Sequence, residues 1–293
     1  MGTLLTSIIF LSLIGVLGLF AFFNYIIHKI FFLSHVSNQE LPKDFDLDVR
    51  EYFIKTRHDK KIQLWDLNNK SKGPILLGIH GWANSSSVLL PLASALNKHW
   101  RTILINARNH GDSEDDSIVT LIKYKEDIES VMHWLEKNEK IENRPIILFG
   151  HSLGGASAMF TAVRNNKIHS VISISAFADL ELILRKGMEK QKMFRPFIKS
   201  FLTYIEFRTG EHLNDVTPIS TIARYQGPVL IAHGVKDEVI DVKDAELLVQ
   251  KADRDNVSLI KMANHNHSSL LKDSALAEHI IQFIKNYLTA EQL

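Results

Sequence analysis

The chain has no cysteine among its 293 residues, which excludes disulfides, thiolate metal sites and a cysteine nucleophile together. That absence fits either side of a membrane. An excess of charge is lacking too: 34 basic and 33 acidic side chains give a formal net charge of +1, so no bulk attraction to nucleic acid is expected. No internal repeat or low-complexity tract is present. A further absence is local, since no charged side chain occurs in residues 1–27, where Leu, Ile and Phe dominate. A helix needs about 20 apolar residues to cross the hydrocarbon core of a bilayer. Asn24, Tyr25, His28 and Lys29 then supply an interfacial edge. A cleaved signal peptide would have a basic start, a shorter apolar run and a small-residue cleavage site; the first and last are missing. Residues 1–33 are therefore expected to be an uncleaved single-pass anchor. Lys29 lies after the span and only the α-amino group before it, which places the rest of the chain on the cytoplasmic side. The start Met1-Gly2-Thr3-Leu4-Leu5-Thr6 also fits a myristoylation pattern, read here as a chance match inside the span.

Residues 34–48 are polar, contain Pro42 and read as a linker. Strands and helices then alternate through one domain, 49–293. Segments 50–55 and 61–67 form a hairpin turning at His58-Asp59-Lys60. The apolar runs 74–79, 102–106, 145–149, 170–175, 228–233 and 257–262 read as buried strands. Helices are expected over 87–98, 120–138, 156–164, 243–252 and 274–288; Leu121, Tyr124, Ile128, Val131, Met132 and Leu135 make the buried stripe of the second. About eight strands with helical crossovers require a mostly parallel sheet covered on both faces. The fifty-odd residues between 175 and 228 exceed a simple crossover. Residues 179–215 are expected to form a small helical cap, with Pro196 at a helix start and Phe197, Ile198, Phe201, Leu202 and Ile205 at helical spacing.

The hexapeptide Gly150-His151-Ser152-Leu153-Gly154-Gly155 sits between one such strand and one such helix. A serine at a sharp strand-to-helix turn presents its hydroxyl outward, and small flanking residues tolerate the strained backbone. The helix start aims free N–H groups at charge developing beside that serine. Ser152 is thus a candidate nucleophile, and it needs a base that is itself oriented by an acid. Asp237 follows strand 228–233, and His265 and His267 follow strand 257–262, in the chain order serine, acid, histidine. Asp179 and Asp241 are fallback acids that read more simply as helix caps. The N–H groups of Leu153 and Trp82 are the candidate oxyanion donors, and His80 is read as structural.

These motifs resemble the α/β-hydrolase superfamily, in its serine esterase, lipase and aminopeptidase-like branch, over roughly residues 50–288. The likeness rests on His80-Gly81-Trp82, on Asn106-Ala107-Arg108-Asn109-His110-Gly111-Asp112-Ser113, on the serine turn, on His233-Gly234-Val235-Lys236-Asp237 and on the histidine loop. Asn106 and Asn109 depart from the family's usual Asp and Gly, at loop-shaping positions. The family's spacing favours His265 as the base; His267 would serve if 253–255 were a small insertion. The resemblance implies a membrane-anchored serine hydrolase cleaving a carboxylic ester, with an acyl or lipid-like substrate suggested by the apolar cap. Thioesterase, peptidase or amidase and acyltransferase chemistry would use the same three residues, and a non-catalytic tethered binding protein is the alternative of another class. No metal or organic cofactor is called for, no nucleic acid partner is expected, and the oligomeric state is left open. Arg185, Lys186, Lys190, Lys192, Arg195 and Lys199 on the cap read as a solvated face, with contact to anionic lipid the sharper alternative.

Overall fold

The computed structural model describes residues 2–138, 141 and 144–293. Its first element, α1 (Gly2–Phe31), carries an apolar span over Thr3–Phe31 with mean hydropathy 2.5, long enough to cross a bilayer. The myristoylation-type start includes Met1, which lies outside the described residues. Most of α1 stands free, with Leu4, Phe10, Leu13 and Leu17 more than half exposed. From Phe23 onward the helix is docked on the body.

The body is an eight-stranded sheet in the order β1-β2-β4-β3-β5-β6-β7-β8. β1 (Val49–Lys55) and β2 (Lys61–Leu67) form the expected hairpin, and β2 runs antiparallel to β4 (Arg101–Ile105). β3 (Ile75–Ile79), β4, β5 (Ile146–His151), β6 (Ile168–Ile174), β7 (Val229–Gly234) and β8 (Val257–Met262) pair in parallel. β3, β4, β5 and β7 are buried throughout, as expected for strands covered on both faces. Helix α2 (Leu90–Leu96) follows a 3₁₀ turn over Ser86–Leu89, because Pro91 is accommodated at a helix start and divides the expected 87–98 helix. α3 (Leu121–Asn138) buries the apolar stripe read from its sequence. α4 (Leu153–Ala162) begins immediately after Ser152, and α9 (Val242–Ala252) and α10 (Ser274–Tyr287) close the chain.

Between β6 and β7 lie α5 (Leu180–Lys190), α6 (Arg195–Thr209), α7 (Leu213–Val216) and α8 (Pro218–Arg224). α5 and α6 bury Met188, Ile198, Phe201, Leu202 and Ile205 together with Phe23 of α1. The Phe23 ring meets Phe197, Phe201 and Tyr204 at centroid distances of 5.8, 5.8 and 5.0 Å. Asn24 adds a polar pin within this apolar contact, its Nδ2 donating to Tyr204 Oη at 2.6 Å and to the Phe20 carbonyl at 2.7 Å, while Arg208 reaches Asn24 Oδ1.

Residues 34–48, expected to act as a linker, are instead strapped to the body. Val36 N donates to the Asn109 carbonyl at 2.9 Å and the Val36 carbonyl accepts from Gly111 N at 2.8 Å. His35 bonds Asp115 and the Gly111 carbonyl, both at 2.7 Å. Asn109, at φ 70°, turns its side-chain amide onto the Leu33 carbonyl at 3.2 Å, and Val119 N takes the Phe31 carbonyl at 2.8 Å. The Asn109 departure from the family pattern thus holds the end of α1. The Phe23 ring is 8% exposed, so Phe23→Ala is expected to cost about 3 kcal/mol, the low end for a buried phenylalanine. A lower melting temperature in detergent would register it; an unchanged one would mean that α1 is not held by this ring.

Candidate active site

Ser152 occupies the corner between β5 and α4 at φ 55°, ψ −118°, a conformation that costs an L-residue about 1–3 kcal/mol. The strain persists because the neighbours fix both sides: Ser152 N donates to the Ile174 carbonyl at 2.7 Å, and the Ser152 carbonyl accepts from Ala156 N at 3.1 Å. Glycine is required around it by contact. A Cβ on Gly150 would strike the Gly154 backbone, and one on Gly154 would strike the carbonyl oxygens of Ile79 and His80. Gly81 lies so near the corner that a Cβ there would sit 3.0 Å from Ser152 Cβ. The Ser152 hydroxyl has no hydrogen-bond partner among the described residues and lines a cavity of about 370 Å³.

Two residues with candidate donor N–H groups, Leu153 and Trp82, line the same cavity as this hydroxyl. Leu153 opens α4, where the first amides have no intrahelical acceptor. The Trp82 amide has no partner among the described residues; its orientation is imposed from behind. The Gly81 carbonyl, at the other end of the same planar peptide, accepts from Tyr124 Oη at 3.2 Å and lies 2.8 Å from His80 Nδ1. Because a trans peptide sets C=O and N–H on opposite sides, those two grips turn the Trp82 N–H the other way. His80 Nε2 accepts from Ala107 N at 3.2 Å, so the ring is neutral with its proton on Nδ1. Burial, and then the neighbouring His110, hold its pKa well below the ordinary histidine value.

Asp237 sits on the loop leaving β7, its carboxylate fully enclosed. One oxygen accepts from the Val239 and Ile240 amides, each at 2.9 Å. The other meets His267 Nδ1 at 2.7 Å and His233 Nε2 at 3.2 Å. Burial raises the carboxyl pKa, but the bonds from His233, His267 and the Ile240 amide outweigh it and hold the group well below the carboxylate range. The structure thus pairs Asp237 with His267 and not with His265. The imidazole of His265 points elsewhere, with Nε2 2.8 Å from Asp273 Oδ2 and Nδ1 3.2 Å from Ser269 Oγ. The reason lies in how the two loops are joined: Lys236 N donates to the His265 carbonyl at 2.9 Å, and Gly234 leaves no room for a side chain against the carbonyls of His265 and Asn266. His265 therefore contributes backbone to the junction, and the residue two further on turns its ring toward the carboxylate.

His151, the residue before Ser152, fastens the His267 loop to the end of β5. It donates from Nε2 to the His267 carbonyl at 2.7 Å, and the two rings lie 4.7 Å apart. Buried beside His267, His151 is pushed down to about 4. Asp179 and Asp241 cap helices, accepting from Leu182 N and Lys243 N, both at 3.0 Å. Sequence reasoning did not single out Tyr124, His151 or His233 for the site; a polar residue within an apolar stripe or strand was the available signal.

The cavity beside Ser152 is walled by Trp82, Leu153, Phe177, Leu180 and Ile240 of the body and by Ile27, Ile30 and Phe31 of α1. Among the described residues, no cluster of three or more His, Asp or Glu side chains could hold a metal ion.

A family model described as the alpha/beta hydrolase fold matches residues 74–203. The chain is 34% identical over 112 residues to an sn-1-specific diacylglycerol lipase of Xenopus tropicalis, a match covering 38% of this chain and 33% of that one. It spans between about a third and a half of the length of the curated relatives it matches. Among solved structures it is similar to an esterase of Pyrococcus furiosus, at 18% identity and TM-score 0.71, over 87% of this chain and 97% of that one. It is similar as well to a membrane phospholipase A described as a bacterial virulence factor, at 17% identity and TM-score 0.61, over 98% of this chain and 99% of that one. The chain has the α/β-hydrolase fold.

His151 and His110, both held down to about 4 by burial, resist protonation that the unfolded chain accepts near 6.5. The unfolded state therefore binds more protons between those values, and stability falls as pH drops through that window, by about 3 kcal/mol for each site. Melting temperatures from pH 7.5 down to 4.5 should decline steeply. A flat profile would mean that these rings are not buried neutral.

Proposed function

With the α/β-hydrolase fold as the starting point, we propose that this chain is a membrane-anchored serine hydrolase acting on carboxylic esters with an acyl or lipid-like substituent. The observation that carries this reading is the Asp237–His267 pair, fastened through His151 to the residue next to the strained Ser152. Asp237 accepts a hydrogen bond from the Nδ1–H of His267, which fixes the tautomer that leaves the Nε2 lone pair free, the state a general base needs. His267 Nε2 removes the Ser152 proton as Oγ bonds to the ester carbonyl carbon. The resulting oxyanion is received by the Trp82 and Leu153 N–H groups, and loss of such a donor costs on the order of 10²–10³ in turnover. The carbon–oxygen bond to the alcohol then breaks, and His267 returns its proton to that leaving oxygen. Water repeats the sequence on the acyl-enzyme, releasing the acid. Among the described residues no hydrogen bond joins His267 to Ser152; contacts of this kind often close only with substrate bound.

Two further observations support the anchored, lipid-directed form of the reading. The far end of α1 is built into the folded body, so removing it as a signal peptide would strip a wall from the cavity. The cavity itself is walled mostly by apolar side chains, with Arg208 and Glu211 also on its lining, and the lipase and phospholipase likenesses agree with an acyl ester. Thioesters and amides would meet the same groups.

Ser152→Ala is expected to abolish labelling by a fluorophosphonate probe, and His267→Ala to lower ester turnover by about 10³-fold or more. His265→Ala should retain most of its turnover and lose stability instead. The reverse ranking of the two histidines would overturn the base assignment. Tyr124→Phe frees one grip on the Gly81–Trp82 peptide, and a fall in kcat of about tenfold with KM little changed is expected. Intact kcat would remove Tyr124 from oxyanion positioning.

A further inference from the structure

The cavity at Ser152 has a feature that a hydrolase with a merely tethered catalytic body would not need: part of its wall is the anchor. Ile27, Ile30 and Phe31 of α1 stand opposite Leu180, Ile183 and Leu184 of the cap. A second cavity of about 110 Å³ lies behind this contact, bounded by Ile30, Phe31, Ile183, Leu184 and Ile205 again, and by Gly187, Met188 and Gln191. Five side chains are therefore shared between the two spaces, and they form the partition between them. Gly187 and Gln191 are exposed, so the smaller space begins at the outer turn of α5 and ends at the α1 residues that face Ser152.

We infer that α1 is a wall of the substrate site, and that the acyl chain of a bilayer lipid reaches Ser152 along α1, between it and α5 and α6, through the two cavities in series. This rests on the hydrolase reading of Ser152 and adds the substrate's route and class: a long-chain acyl lipid that keeps its tail in apolar surroundings throughout. The physical case is continuity. The exposed apolar face of α1 would be in contact with lipid tails, and the same helix face-on to the body supplies Ile27, Ile30 and Phe31. A tail moving along it never has to expose methylene groups to water, a transfer that costs about 0.8 kcal/mol for each CH₂. The partition is made of Ile, Leu and Phe side chains, none pinned by a hydrogen bond, so rotamer changes suffice to join the spaces.

The test uses the full-length protein in phosphatidylcholine vesicles and compares p-nitrophenyl palmitate carried in the bilayer with soluble p-nitrophenyl butyrate. Ile30→Trp thickens the partition. Gly187→Leu fills the outer space at a position where an added Cβ meets no atom within 4 Å and where leucine suits a helix better than glycine. In each, the palmitate-to-butyrate ratio of kcat/KM is expected to fall at least about tenfold, the scale on which an apolar pocket senses a misplaced methylene. Ile9→Trp, on the free part of α1, should leave the ratio where it is. Fluorophosphonate labelling at the wild-type rate identifies folded variants, and Gly187→Leu keeps the comparison open should tryptophan at position 30 prevent folding. Labelled variants with an unshifted ratio would overturn the lipid route while leaving the hydrolase reading intact. A wild-type protein that takes no label and cleaves neither ester would overturn both.

Discussion

The structure depends most on how closely three stretches of backbone crowd around one serine. β3, β5 and α4 approach until Gly150 and Gly154 have no space for a single added carbon and Gly81 has barely enough. Interiors packed this tightly transmit displacement and do not absorb it. The positive φ of Ser152, the outward aim of its hydroxyl and the start of α4 at the next residue are consequences of that crowding. So is the approach of the Trp82 peptide, which the Tyr124 and His80 contacts then fix in one orientation.

A second constraint is electrostatic. A carboxylate buried as completely as that of Asp237 is tolerated only if every lone pair is answered. Here two amides and the His267 imidazole bond it, and His233 Nε2, which also meets the Ile240 carbonyl at 3.0 Å, lies 3.2 Å away. The acid's need for donors therefore organises the loop that carries His267, and His233 below it secures the same oxygen. Polar groups in this region are stacked three deep, from His233 through Asp237 to His267, with His151 fastening the last to the elbow.

Much of this was legible in the chain. The alternation of apolar runs and amphipathic stretches gave the parallel sheet, because buried strands and helices have different periods and lengths. Ser152 stood out because its neighbours are a strand on one side and glycines on the other. Asp237 followed from its place after a buried strand. Which histidine meets Asp237 did not follow, since His265 and His267 share a loop and the choice between them is made by a carbonyl from one loop meeting an amide of another. Asp273, which captures His265, reads in sequence only as the cap of the last helix, a role it also fills by accepting from Ala275 N at 2.8 Å. The part played by α1 was equally hidden. Ile27 and Ile14 are the same residue in the same apolar run, and only the cap's position gives the first a cavity to line. Residues 34–48 looked like a linker because polar composition describes solvent-facing surface and says nothing of main-chain bonding.

That strap has a mechanical consequence. A flexible tether would let the body tumble above its anchor, sampling every orientation. Here the last turn of α1 is held at Phe31 and Leu33, the next residues at His35 and Val36, and the helix itself at Phe23 and Asn24. Helix α1 and body turn as one object, like a mast stepped into a hull. On the proposed reading of α1 as a membrane span, any tilt that bilayer thickness imposes on the helix would swing the cavity mouth by the same angle.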